Sequence, residues 1–204
     1  MPKTYRSKKR SRKLTNNQRN EVHKIVKENI ETKDLCFHIT PTAISTTVVY
    51  HPLLNVMLSS QGAGQSQFIG NEVRLQYLRC RGVVTQSDRS NLIRCLLVRM
   101  KDSYLPGLGD VDMFKCPAAP LLSELDFDFV DRVYYDKTVT LNVGYSNDNR
   151  QKIISRNVNL RNRVLTLKTT GNPNQEIFWV LVSDSGIIPH PSFEMTSTLG
   201  FNDA

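Results

Sequence analysis

Between Val133 and Val143 the chain alternates apolar and polar residues. Val133, Tyr135, Val139, Leu141 and Val143 share one face, and Arg132, Tyr134, Asp136, Thr138, Thr140 and Asn142 share the other. A period of two predicts a strand with one face in a core and one toward water. Further strands are predicted at roughly 35–50, 72–86, 91–101, 152–160, 163–168, 176–184 and 193–201. Turn chemistry separates many of them: Gln61-Gly62-Ala63-Gly64, Ser87-Asp88-Arg89-Ser90, the stretch from Gly144 to Asn149, and Gly171-Asn172-Pro173-Asn174. A long loop runs from Ser103 to Pro120, and Leu121, Leu122 and Leu125 after it are expected to form one helical turn. About eight antiparallel strands predict an all-β sandwich, with the jelly roll as the leading arrangement.

Near the amino terminus the period changes. Val22, Ile25, Val26 and Ile30 fall on one helical face, with Arg19, Lys24 and Lys27 elsewhere on the same helix. Thr15 and Gln18 stand in the capping-box relation that starts such a helix. At about fifteen residues the helix is marginal alone and is expected to form against its own protein or against nucleic acid. The expected division is therefore a basic arm and short helix over 1–33, followed by a sandwich over 34–204.

Charge sharpens that division. Residues 1–20 carry Lys3, Arg6, Lys8, Lys9, Arg10, Arg12, Lys13 and Arg19 and no carboxylate. The whole chain has 27 basic and 19 acidic residues; without those eight, 19 cations face 19 carboxylates. A cationic leader on a neutral globule suits the holding of a polyanion. From Pro2 to Lys13 there is one aromatic, Tyr5, and no aliphatic residue, so this arm is expected to be disordered until neutralised. Eight cations on a single strand predict a log–log salt slope of up to about −6. Such contacts fix backbone phosphate and read few base edges. Lys8, Lys9, Arg10, Arg12 and Lys13 also form the kind of run that nuclear import receptors read. A plain solubility tail is the simplest alternative.

Other chemistry is sparse. No apolar run reaches eighteen residues, so no membrane insertion is expected, and no apolar segment behind the basic start suggests a secretory signal. Cys36, Cys80, Cys95 and Cys116 contain no Cys-x-x-Cys pair and are expected to be reduced, buried thiols. His23, His38, His51 and His190 lack metal-ligand spacing, and no nucleophile elbow, Walker loop or His-Glu-x-x-His occurs. No enzyme and no cofactor are expected. Asp126, Asp128 and Asp131 form the one acidic cluster, a weak candidate for structural Ca²⁺.

Several segments carry a family likeness. Phe68-Ile69-Gly70-Asn71-Glu72-Val73-Arg74-Leu75 with Leu78-Arg79-Cys80-Arg81-Gly82, Asn91-Leu92-Ile93-Arg94 with its apolar run, and Arg132 to Lys137 contribute to it. So do Phe178 to Ser185, Asn29-Ile30-Glu31-Thr32-Lys33 and Phe201-Asn202-Asp203-Ala204. In this order the chain resembles capsid proteins of small circular Rep-encoding single-stranded DNA viruses, and also coat proteins of satellite necrosis viruses. The resemblance implies one jelly-roll shell subunit assembling with itself as roughly sixty copies in a T=1 icosahedral particle. It implies an arm facing packaged single-stranded DNA, a virion location, and passage through the host nucleus with an import receptor as partner. A satellite-type coat protein around RNA, and a cellular β-sandwich nucleic-acid-binding protein with a nuclear tail, stand as the alternatives.

Overall fold

The structure, a computed structural model, describes residues 15–29, 32–58, 71–87, 90–101, 113–142, 150–166 and 175–203. The chain falls into two compact units, Met1–Glu31 and Thr32–Ala204. In the first, helix α1 spans Asn16–Asn29. Its start is the capping box: Gln18 N donates to Thr15 Oγ1 at 3.3 Å and Thr15 N donates to Gln18 Oε1 at 3.0 Å. Each side chain thus satisfies a backbone donor of the first turn. Val22, on the expected apolar face, is exposed.

The second unit contains β1 (Lys33–Ala43), β2 (Val49–Pro52), β3 (Glu72–Thr85), β4 (Ser90–Met100), β5 (Val130–Asn142), β6 (Gln151–Thr166), β7 (Ile177–Ser183) and β8 (Ser192–Asp203). A single-turn helix, α2, covers Leu54–Met57. β1 pairs β8, β2 pairs β7, β3 pairs β6 and β4 pairs β5, all antiparallel, as in one long hairpin rolled upon itself. Further pairing of β3 with β8 and β4 with β7 closes two four-stranded sheets, ordered β1-β8-β3-β6 and β2-β7-β4-β5. This is the jelly roll.

The strand count agrees with the pattern reading through two compensating differences. The run at 35–50 is two strands, because residues 44–48 cross from one sheet to the other. There Ile44 N donates to Pro191 O at 2.7 Å, and Ser183 N donates to Ser45 O at 2.8 Å. The runs at 152–160 and 163–168 are one strand, β6, bent where Arg161 takes φ 55° and its N–H donates to Asn159 Oδ1. Opposite that bend Leu75 faces Arg163 and Tyr77 faces Asn159, so a bulge absorbs the extra residues without ending the pairing. In β1, an edge strand, a register shift between Ile39 and Thr42 accommodates Pro41.

The main core lies between the sheets, with Trp179 of β7 at its centre. Its ring centroid is 5.8 Å from those of Tyr135 on β5 and Phe193 on β8. A second apolar cluster covers the outer face of the β2-β7-β4-β5 sheet. There Leu96, Val98, Phe178 and Val180 meet Met113, Phe114 and Leu125 from the segment before β5. β4 and β7 are therefore buried on both faces, which explains their nearly continuous apolar runs. The expected common face of Val133 and Tyr135 does not form. A register shift leaves Tyr135 opposite Leu97 and Val133 opposite Val98, with Tyr134 extra between them. Tyr135 accordingly packs against the main core and Val133 against the outer cluster. The expected turn at Leu121, Leu122 and Leu125 sits earlier. Ser123 N donates to Ala119 O at 3.0 Å, Leu122 is exposed, and Leu125 bridges Phe114.

Candidate nucleic-acid interface

Of the cations expected to hold a polyanion, Lys3, Arg6, Lys8, Lys9, Arg10, Arg12 and Lys13 lie outside the described residues, as does the proposed import run. Arg19 is exposed one turn into α1, where its N–H bonds Thr15 O. Lys24 and Lys27 follow on the same helix.

Within the sandwich, several cations serve the fold itself. Arg94 of β4 is buried and forks onto Asp136 of β5, Nε to Oδ1 at 2.9 Å and Nη2 to Oδ2 at 2.7 Å. Its Nη1 donates to Pro120 O at 2.8 Å and Ser123 O at 2.5 Å, tying the 113–125 segment onto the sheet. Arg99 engages Asp131 and donates to Tyr134 Oη at 3.1 Å. Lys33 pairs with Asp203 at 2.7 Å, and Lys115 with Glu124 at 2.8 Å.

The face of the β1-β8-β3-β6 sheet away from the core carries Arg74, Arg79 and Arg81 along β3. Tyr77 lies among them and reaches across β8: its hydroxyl donates to Asp34 Oδ1 at 2.6 Å, and Arg79 stacks 4.4 Å over its ring. That bond, above all, raises the Tyr77 phenol above its ordinary range. The same face holds Glu194 beside His38 at 2.9 Å, so it is not a uniformly positive surface.

Where β5 and β6 form neighbouring edges of the two sheets, a groove of about 420 Å³ opens. Lys137, Lys152 and Arg156 line it together with Tyr135, Thr138 and Ser155. The Arg156 guanidinium lies 4.5 Å over the Tyr135 ring. Sequence reading missed this cluster because its members lie on two strands that meet only through the sheet order. The signal in the sequence was Lys137, which breaks the apolar face of β5 between Tyr135 and Val139.

Asp126, Asp128 and Asp131 do not converge. Asp131 is held by Arg99, and Asp126 Oδ1 accepts the Asp128 N–H at 2.8 Å in a local turn. Among the described residues no three His, Cys, Asp or Glu side chains are placed to hold one metal ion. Two of the four thiols depart from expectation: Cys80 and Cys95 are buried, whereas Cys36 and Cys116 are exposed. Cys36 sits on the outward-facing set of an edge strand, and Cys116 on a turn. Burial pushes the Cys95 thiol up to about 12 and the Cys80 thiol upward. No described helix is long and apolar enough to cross a membrane.

One buried carboxylate was invisible in the sequence. Glu176 precedes β7 and accepts four backbone N–H groups. Oε1 takes Leu53 at 3.1 Å, Leu54 at 2.6 Å and Ile177 at 2.9 Å, and Oε2 takes Asn55 at 2.7 Å. It thus caps α2 from a distant strand, where Leu53 has no capping side chain. Burial pushes its carboxyl up to about 7, outweighing the four donors.

No family model matches the sequence, and no curated protein does. Among solved structures, the chain is similar to one titled Desmodium yellow mottle tymovirus, at 10% identity and a TM-score of 0.40, covering 85% of this chain and 88% of that one. It is also similar to one titled infectious bursal disease virus Gx strain, at 10% identity and a TM-score of 0.31. There 86% of this chain is covered, but only 32% of the longer chain. Likenesses this loose do not bear on function.

Proposed function

We propose that the chain is a viral capsid protein: its jelly roll tiles with copies of itself into a small closed shell, and its cationic leader holds single-stranded DNA inside. The observation that carries this reading is the separation of charge. The excess of cations sits entirely in residues 1–20, ahead of a neutral chain folded as an eight-stranded sandwich. The ordered series of segments resembling capsid proteins of circular single-stranded DNA viruses supports it and supplies the T=1 arrangement.

The mechanism is electrostatic and needs no catalytic step. Each arm that meets the strand displaces condensed counterions, so assembly and neutralisation are coupled. In a shell of roughly sixty copies, the arms bring about 480 positive charges into one cavity. Lys8 to Lys13 serve nuclear import before assembly and packaging afterwards, placing the chain in the host nucleus and then in the virion.

The test is to express the full chain, image it by negative stain, and digest the extracted cargo with DNase or RNase in parallel. Closed particles whose cargo yields to DNase alone are expected. RNase-sensitive cargo favours the satellite-type RNA coat protein, and a soluble monomer with nucleic acid present contradicts a capsid role.

A further inference from the structure

We infer that the groove between the β5 and β6 edges is a second polyanion site, which takes the phosphodiester backbone of a single nucleic-acid strand. Lys137 on β5 and Lys152 on β6 are exposed, Arg156 of β6 lines the groove with them, and no carboxylate lines it among the described residues. Lysines on sheet edges are an ordinary guard against edge-to-edge pairing, which would account for Lys137 and Lys152 alone. It does not account for Arg156. Its guanidinium, half-exposed, is drawn 4.5 Å over the Tyr135 ring with no carboxylate beside it in the groove. A permanent cation held by a ring face alone leaves its terminal N–H donors to an acceptor that enters the groove. A phosphate oxygen is such an acceptor, since the planar guanidinium matches phosphate geometry. The volume fits a short stretch of strand and lies in the range of ordinary ligand pockets.

The choice of nucleic acid as the polyanion rests on the packaging reading; the anion site itself does not. The test therefore uses the full chain with its eight arm cations replaced by Gln, titrated with fluorescein-labelled (dT)12 by anisotropy between 50 and 200 mM NaCl. Three remaining phosphate contacts give a slope near −2, a loss of roughly fifteen- to twenty-fold over that span. Adding Lys137→Gln and Lys152→Gln, both on exposed side chains that leave the fold intact, should reduce the loss to about two- to three-fold. Arg156→Gln should weaken binding at every salt concentration.

Absence of binding by the arm-neutral chain overturns the inference, as does a slope unmoved by the lysine changes. A heparin fragment of equal charge that displaces (dT)12, and that (dT)12 cannot displace, also overturns it and assigns the groove to sulfated glycans. Failure of the packaging reading has a separate signature: wild-type particles without cargo, while the arm-neutral chain keeps its lysine-dependent slope.

Discussion

Tyr77 and Gly200 show how one side chain can demand the absence of another. Gly200 faces Tyr77 across the β3–β8 pair, and a Cβ at Gly200 would come within 2.3 Å of the Tyr77 ring. The missing side chain lets the ring lie flat over β8 and reach Asp34 on β1. Gly200→Ala should displace the ring and cost about 1–3 kcal/mol in urea unfolding. In a Tyr77→Ala background the same change should be nearly neutral, and a full cost there would refute the clash. Gly82 follows the same logic on the core side, where Phe193 Cε2 would stand 2.8 Å from a Cβ. This gives a physical reason for a glycine at position 82 of β3.

Glu176 supplies a pH dependence at the same scale. Its folded value of about 7 lies above the ordinary 4.5, so the folded state keeps a proton that the unfolded chain releases. Stability from this site is full below pH 4.5 and is lost as pH rises through 7, by about 3 kcal/mol. Urea midpoints at pH 5 and pH 8 should differ in the wild type and converge in Glu176→Gln. A variant as pH-dependent as the wild type would contradict the assignment.

At the scale of elements, the 113–130 segment is held to its sheet by an apolar patch and by one arginine. Arg94 satisfies a carboxylate and two carbonyls at once, which a lysine ammonium cannot reproduce. Arg94→Lys should cost about 3 kcal/mol and raise amide exchange in 113–130 while β7 and β8 stay protected. Uniform exchange across the sandwich would show instead that Arg94 supports the whole fold.

The elements also mark how far pattern reading reaches. Thr15 and Gln18 were legible because a capping box is local, four residues long and chemically specific. Strand positions were legible because period two survives within each run. The bulges at Tyr134 and near Arg161 were not, since they depend on the partner strand's register and leave composition unchanged. The double burial of β4 and β7 was present in the runs Leu96-Leu97-Val98 and Ile177 to Val182, which leave no polar face to alternate with. Glu176 stayed hidden because its partners are backbone N–H groups, which have no residue identity. The β5/β6 groove stayed hidden because its cations meet only in three dimensions.

At the scale of the whole molecule, the claim is that attachment and tiling reside in different parts of the chain. The sandwich is formally neutral, with internal ion pairs at Arg94, Arg99 and Lys33, so copies can approach without strong mutual repulsion. The arm carries the excess charge and almost no apolar surface. Deleting residues 1–20 should therefore remove most nucleic-acid binding and little of the subunit contact. Sedimentation velocity with detection at 260 and 280 nm, on the full chain and on a chain lacking residues 1–20, tests this most directly. The expected result is one fast particle boundary for both, with the excess 260 nm absorbance lost or sharply reduced in the shortened chain. Slow boundaries for both, or equal nucleic-acid content in both particles, would contradict the division between a gripping leader and a tiling sandwich.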